Sequence, residues 1–188
     1  MSARPVVDLQ LPVCDDAFSA LRAGASVLLS GRVYVARDAA HKRLAQALAA
    51  GQELPFAPYG EAIYYAGPSP ARPGRPTGSI GPTTSGRMDP YTVPLLEAGV
   101  KVLIGKGARS AVVRQALQAH GAVYLAVTGG VAALIARSVV SSEVVAYEDL
   151  GPEALRRLEV VRMPAVVVND IHGGDAYERG RVAFRRVV

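Results

Sequence analysis

The segment Gly81-Pro82-Thr83-Thr84-Ser85-Gly86-Arg87-Met88-Asp89 sets three hydroxyls between glycines and a guanidinium directly after the second, just ahead of a helix start. Hydroxyls, free backbone N–H groups and an arginine beside a helix N-terminus suit an anion. The plainer alternative is a capped loop whose Ser and Thr bond only their own backbone. Three further loops follow apolar runs. Arg37, Asp38 and His41 come after Val33-Tyr34-Val35; Lys106, Gly107 and Arg109 come after Val102-Leu103-Ile104; Thr128-Gly129-Gly130 comes after Leu125-Ala126-Val127. If these runs are parallel strands, their carboxyl ends are where ligands bind. Each loop also has a bland reading: Lys106 as a solvated turn lysine, Gly129 and Gly130 as a tight turn, and His41 as a surface or capping residue. His41, His120 and His172 show no metal-ligand spacing. There is no Ser-His-Asp order with a nucleophile elbow, no paired-cysteine site and no complete phosphate-loop motif, and Gly129-Gly130 is too little for a dinucleotide fingerprint.

The elements that must position these loops can be read from periodicity and punctuation. Residues 6–13 alternate loosely as a strand, and 15–23 read as a short helix ending at Gly24. Residues 26–29 and 32–36 look like two strands meeting around Gly31. Asp38 is the expected cap of a helix over 39–50, stopped by Gly51. Residues 62–66 form a short strand. The proline- and glycine-rich run 67–82 forbids helix and central strand, leaving a linker or a functional loop. Asp89-Pro90 has the form of an N-cap and first helical proline, with a helix to about Ala98. A strand over 100–104, a helix from Ser110 to His120, a strand over 122–127 and a short helix over 130–137 follow. Residues 144–147 suggest a strand, 152–158 a helical turn or two, and 165–168 a buried strand. Strand, helix, strand at this spacing means parallel pairing with right-handed crossovers, so the chain is expected to be α/β, with parallel βαβ units in the second half and extra β structure from the first.

The composition bounds the chemistry. Half of the 188 residues are hydrophobic and 20% charged, with 19 glycines and 13 prolines; that balance supports a folded core rather than disorder. The length suggests a single domain. One cysteine, Cys14, excludes an internal disulfide, and any iron–sulfur cluster ligated wholly by this chain; it reads as a small, partly buried side chain. With no disulfide framework and no signal-peptide pattern, a cytoplasmic location is expected. The most apolar run, 122–136, is too short and too broken by Thr128-Gly129-Gly130 to span a bilayer. The net charge is +5, and arginine supplies 18 of the 21 basic residues. Such a balance admits nucleic acid, but dense basic runs are lacking and only eight Tyr and three Phe are present, with no Trp, so stacking platforms are scarce. Arg179 to Arg186 reads as a solvated end. Scattered arginine suits carboxylate recognition, because its planar fork binds a carboxylate through two parallel bonds.

Taken together, Leu29-Ser30-Gly31, Ala36-Arg37-Asp38-Ala39-Ala40-His41-Lys42, Tyr64-Tyr65-Ala66-Gly67-Pro68, the 81–89 segment and Lys106-Gly107-Ala108-Arg109-Ser110 resemble the β subunit of class I, iron–sulfur-dependent fumarate hydratase. In single-chain members of that family the same unit is the C-terminal domain. The resemblance runs in order through nearly the whole chain and ends with Val166-Val167-Val168-Asn169-Asp170. The β subunit of L(+)-tartrate dehydratase is a close relative, but typically carries a bulky residue in place of Gly86 and lacks the Arg109-Ser110 pair. Here both positions are of the fumarase kind. Val131 is a departure, standing where the family usually has proline.

The resemblance implies one three-layer β/β/α swivelling domain over residues 1–188. It implies an active site shared with an α subunit that carries a [4Fe-4S] cluster, in a heterodimer or heterotetramer, with no metal ligand on this chain and no nucleic-acid or membrane partner. The implied reaction is the reversible trans hydration of fumarate to L-malate; tartrate or another 2-hydroxy diacid is the alternative substrate. Carried over motif by motif, Arg37, Arg87 and Lys106 are the carboxylate binders. Thr83 is the catalytic position at C3, with Asp38, His41, Thr84, Ser85, Gly86, Gly129 and Gly130 in support. A threonine hydroxyl is intrinsically a poor base, so substrate contact is the firmer expectation for Thr83.

Overall fold

Four runs that are apolar on both faces pair side by side in one direction, as strands buried from both sides do. The computed structural model describes residues 6–185. In chain order the elements are β1 (Val6–Leu11), β2 (Ser26–Val35), α1 (Asp38–Ala49), β3 (Ala62–Tyr64), α2 (Asp89–Glu97), β4 (Val102–Gly105), α3 (Ala111–Ala119), β5 (Val123–Ala126), α4 (Ala132–Arg137), β6 (Val139–Ala146), β7 (Leu155–Asn169) and α5 (Ala176–Phe184). Strands β2, β3, β4 and β5 are parallel, joined by α1, α2 and α3. β7 is antiparallel to β2, β5 and β6, and β1 is parallel to β2. The sheet order is β1-β2-β3-β4-β5-β7-β6, with β2 also bonded to β7. The path β2-β3-β4-β5-β7 therefore returns to its start. The protein is mixed α/β, as the strand–helix rhythm suggested.

Alternation along these strands feeds two cores. Val33, Val35, Tyr64, Ile104, Leu125, Val160 and Val167 point into one. Their neighbours Tyr34, Ile63, Leu103, Tyr124 and Val168 point into the other, where Leu44 of α1, Leu95 of α2 and Leu117 of α3 meet them. Helix α3 shows how the local sequence serves this packing. Ser110 Oγ accepts from Val113 N at 3.4 Å as the N-cap, and Val113, Ala116 and Leu117 form its buried stripe.

Several elements differ from their sequence expectations. The two strands around Gly31 are one ten-residue strand, bent rather than broken. At Leu29/Gly31 the register against β7 shifts; Gly31 has φ +106°, and Arg162 opposite has φ +51°. Ser30 Oγ accepts the Arg162 N–H at 3.0 Å. The bulge lets β2 leave β1 and pass to β3 without losing β7. The expected helical turns over 152–158 are instead the 3-10 turn Glu148–Glu153 and the start of β7. Leu155, Leu158 and Val160 are buried there, while Arg156, Arg157 and Glu159 lie on the opposite face or at its rim. The expected 15–23 helix is only the 3-10 turn Asp15–Phe18, its apolar anchors Phe18 and Leu21 joining the first core. Asp38 and Asp89 are the first helical residues rather than caps, because their carboxylates have more distant partners, described below. Cys14 is exposed, not partly buried. Near the C-terminus, Arg179 donates to Ala23 O at 2.6 Å and Arg181 is largely exposed; Arg186 lies outside the described residues. No helix among the described residues is long and apolar enough to cross a membrane.

A Cβ at Gly31 would stand 2.2 Å from the Leu11 carbonyl oxygen, besides straining φ. Gly31→Ala is therefore expected to lower the unfolding free energy by at least about 2 kcal/mol, measured by chemical denaturation; an unchanged midpoint would show that the bulge tolerates a side chain.

Candidate active site

Because β2, β3, β4 and β5 run in parallel, the residues that follow them emerge at one end of the sheet. Arg37 follows β2 and occupies the N-cap position of α1. Its Nη2 donates to Glu153 Oε1 at 2.7 Å, and its Nε is buried with no partner among the described residues. Asp38 comes next. Its Oδ1 accepts from Arg87 Nε at 2.9 Å, while Oδ2 is buried and unpartnered. Asp38 thus links the two guanidinium-bearing segments, so it does not cap its own helix.

The hydroxyl loop is stitched between β3 and β4. Pro82 bridges Ala66, which follows β3, and Thr84 bridges Lys106, which follows β4. Thr83 N donates to Tyr65 O at 2.7 Å, and Ser85 N to Lys106 O at 2.9 Å. Ser85 turns inward and is buried. Tyr124 donates its hydroxyl proton to Gly107 O at 2.8 Å, which leaves Ser85 Oγ to donate to the Tyr124 oxygen at 2.9 Å. The Thr83 side chain is half-buried, and Thr84, Gly86, Arg87 and Lys106 are exposed. Among the described residues the Thr83 hydroxyl has no hydrogen-bond partner and the Lys106 ammonium no ion pair. A Cβ on Gly129 would lie 4.0 Å from Lys106 Cδ, so the loop after β5 abuts the lysine stem; nothing approaches Gly130.

The structure therefore brings together Arg37, Asp38 and Arg87 on one side and Thr83, Thr84, Lys106 and Gly129 on the other, with the loop from Thr83 to Arg87 spanning both. Gly130, next in the chain, has φ +84° and open space where a Cβ would stand. The assembly is an open shelf; the cavity of about 470 Å³ beside α3 and α5 lies away from it. Its charge is cationic, and the Thr83 and Thr84 hydroxyls have no hydrogen-bond partner among the described residues, which suits an anion with more than one carboxylate.

Beneath the shelf, Arg109 is not the loop cation that its position suggested. Its side chain has no exposure. Nε donates to Asp89 Oδ1 at 2.7 Å, Nη1 to Tyr65 Oη at 3.1 Å, and Nη2 to Thr92 Oγ1 at 2.7 Å. The Tyr65 and Tyr124 rings lie 5.2 and 5.1 Å from the guanidinium carbon. Asp89 Oδ2 also accepts the Ser110 N–H at 2.8 Å, so one carboxylate ties the starts of α2 and α3. His41 is fully buried rather than superficial. Its Nδ1 lies 3.1 Å from Arg37 O and its ring meets Tyr65 edge-on at 5.0 Å. Facing a carbonyl, Nδ1 must carry the proton. Burial is the main cause that pushes the imidazole pKa down to about 4, with the Arg109 charge adding to it against the Arg37 hydrogen bond, so His41 is neutral. The sequence carried no signal for Glu153, 116 residues away from its partner Arg37; an acidic residue in a turn has no local signature of its target.

The described residues contain no group of three or more His, Cys, Asp or Glu arranged to hold a metal ion, and the lone Cys14 is exposed. The donor set of this chain does not fit a [4Fe-4S] cluster.

With this geometry in hand, comparison with known families is decisive: the profile described as "Fumarase C-terminus" matches residues 2–180. The chain belongs to the fumarase C-terminal family. Among relatives in this family, the anaerobic class I fumarate hydratase of Escherichia coli (strain K12) is 44% identical over 154 residues, covering 80% of this chain and 28% of the relative. Fumarate hydratase 2 of Leishmania major is 39% identical over 178 residues, covering 92% of this chain and 31% of the relative. A protein named putative L(+)-tartrate dehydratase subunit beta, from Methanocaldococcus jannaschii, is 37% identical over 164 residues and covered to 84% on both sides. The chain thus spans about a third of the length of the fumarate hydratases it matches, but most of the length of the β-subunit relative.

Removing Arg109 would leave Asp89 without its buried counter-charge. Arg109→Met is expected to cost about 3–5 kcal/mol of stability, read from denaturant unfolding; a loss under about 1 kcal/mol would show the network to be dispensable. For His41, the unfolded chain gains a proton near pH 6.5, whereas the folded one resists until about pH 4. Stability is therefore fully present above pH 6.5 and falls as the pH drops toward 4, by on the order of 3 kcal/mol from this group. Unfolding curves of the wild type and of His41→Gln, compared across that window, should differ in slope by about one proton; parallel curves would mean that His41 is charged in the fold.

Proposed function

We propose that this chain is the β-type part of a two-part iron–sulfur hydro-lyase that interconverts fumarate and L-malate, its site completed by a cluster-bearing α subunit. In this reading residues 1–188 form one swivelling domain, with two β layers and one helical layer, and the complex is a heterodimer or heterotetramer in the cytoplasm. The observation that carries the reading is the gathering of Arg37, Arg87, Thr83 and Lys106 at one end of four parallel strands. A dicarboxylate needs a cation at each end, and the shelf offers guanidinium groups on one side and an ammonium on the other. Each carboxylate–cation hydrogen bond made out of water contributes roughly 1.5–3 kcal/mol. The family matches, with relatives named both as whole fumarate hydratases and as a separate β subunit, support the division of labour.

Within the reaction, this chain's part is to bind, orient and exchange a proton. Arg37, Arg87 and Lys106 grip the two carboxylates and so fix which face of the double bond meets Thr83. Hydration adds hydroxide at C2 and a proton at C3; dehydration removes both. The Thr83 hydroxyl, without a hydrogen-bond partner among the described residues and one residue before the Thr84–Lys106 bridge, is suited to touch C3. As a base it needs an acceptor to relay the proton, because its own pKa is far from neutral, and an acidic residue of the partner is the natural relay. Asp38 orients Arg87, and Ser85 holds the loop through Tyr124. Metal chemistry at C2 belongs to the partner.

A second substrate class, L(+)-tartrate or another 2-hydroxy diacid, is kept open by the relative named as a tartrate dehydratase β subunit. The purified chain alone is expected to show no hydratase activity, with activity appearing on reconstitution with its cluster-bearing partner and fumarate or L-malate turned over in preference to tartrate. Arg87→Ala in that complex should raise KM by roughly ten- to a hundred-fold, the equivalent of one such carboxylate contact. Activity of the isolated chain, or unchanged KM for Arg87→Ala, would overturn the assignment.

A further inference from the structure

Glu153 lies in the 3-10 turn between β6 and β7, and none of the motifs singles it out. Its carboxylate makes two bonds. Oε1 accepts from Arg37 Nη2 at 2.7 Å, and Oε2 accepts the Ala39 N–H at 3.1 Å, in the first turn of α1. One carboxylate thus holds both the guanidinium and the helix start on which it is mounted. The helix has no side-chain cap of its own, so Glu153 supplies an anion to its N-terminus from another part of the chain. On its far side the guanidinium is confined by Gly67: a Cβ there would stand 3.0 Å from Arg37 Nη1 and 3.4 Å from Cδ. Arg37 is therefore clamped between the Gly67 backbone and Glu153. The Arg37 contact is also the leading cause that holds the Glu153 carboxyl below its ordinary range, which keeps it charged at neutral pH.

The same turn makes a second ion pair with α1, between Asp149 and Arg43, with Arg43 Nη1 donating at 2.7 Å. The Arg43–Asp149 pair is exposed and the Arg37–Glu153 pair is partly buried but still open to water, and pairs that keep contact with water add little to stability. They differ in position: Arg43 lies further along α1, against Asp149 and the Tyr147 ring, whereas Arg37 lies next to Asp38 and, through it, Arg87. An ion pair that adds little stability but fixes a substrate-binding cation has its effect in orientation.

We propose that Glu153 is a positioning residue: it presents the Arg37 guanidinium to a substrate carboxylate. This rests on the assignment of Arg37 as a dicarboxylate binder. Glu153 at Nη2 and Gly67 at Nη1 fix the fork from two sides, so the exposed third of the side chain meets the substrate in one orientation rather than many.

The experiment uses the complex reconstituted with the cluster-bearing partner. Steady-state kinetics with L-malate give KM and kcat, and titration calorimetry with succinate, a saturated diacid that cannot react, gives affinity without turnover. Glu153→Gln is expected to raise KM and weaken succinate binding by five-fold or more each, with kcat changed less than two-fold. Asp149→Asn, which removes the neighbouring pair from the same turn, should leave all three unchanged. In an Arg37→Ala background, Glu153→Gln should have no further effect on KM. If Glu153→Gln does not yield a folded complex, Glu153→Asp, which retracts the charge by one methylene, is expected to shift KM and succinate affinity in the same direction. Wild-type values for Glu153→Gln or its substitute, or equal effects of Glu153→Gln and Asp149→Asn, would overturn the positioning role while leaving the hydro-lyase assignment standing. A wild-type complex that neither turns over any diacid nor binds succinate would overturn both.

Discussion

A guanidinium without access to water has to be surrounded by acceptors, and Arg109 imposes that requirement on everything above it. Its donors reach Asp89, Tyr65 and Thr92, and its faces lie against Tyr65 and Tyr124. These partners belong to three pieces around the shelf: Asp89 and Thr92 to α2, Tyr65 to the end of β3 and Tyr124 to β5. Asp89 starts α2, immediately after the turn that carries Arg87, and its second oxygen holds the start of α3. Tyr65 supplies the carbonyl that fixes Thr83 N. Tyr124 holds Ser85 and the Gly107 carbonyl beyond Lys106. Because an unpaired charge at this depth is so costly, these pieces cannot shift independently, and the exposed cations above inherit a fixed spacing.

The parallel strands set where this network operates. Each βαβ step returns the chain to the same end of the sheet, so loops distant in sequence emerge side by side. Arg37 leaves β2, Thr83 is bonded beside β3, Lys106 leaves β4 and Gly129 follows β5. The shelf they build is open, with Thr84, Arg87 and Lys106 exposed on it.

What could be read in advance followed from local rules. The helices over α1, α2 and α3 were legible because caps, prolines and glycines punctuate them, and the short strands β3 to β5 because they are continuous apolar runs. The motifs also named most of the shelf. Long-range pairing was not legible. β7 was seen only at residues 165–168, since its earlier half mixes Arg156, Arg157 and Glu159 with Leu158 and resembles an amphipathic helical turn; only the presence of β2 and β6 on either side makes it a strand. The single strand at Gly31 looked like two because a glycine in a strand marks a bulge as readily as a break. Arg109 and His41 were misplaced for a related reason. Sequence shows a charged or titratable residue beside a loop, but not whether aromatic rings close over it.

Strand β2 has neighbours on both sides for nearly all of its length: β1 and then β3 on one edge, β7 along the other. Its amides have no free edge from which to fray. Solvent deuterium should reach them only through opening of the whole fold, whereas β6, at the end of the sheet order, exchanges through local motions. Arg37 follows directly from β2, so one of the shelf's charges is rooted in the part of the chain expected to let go last.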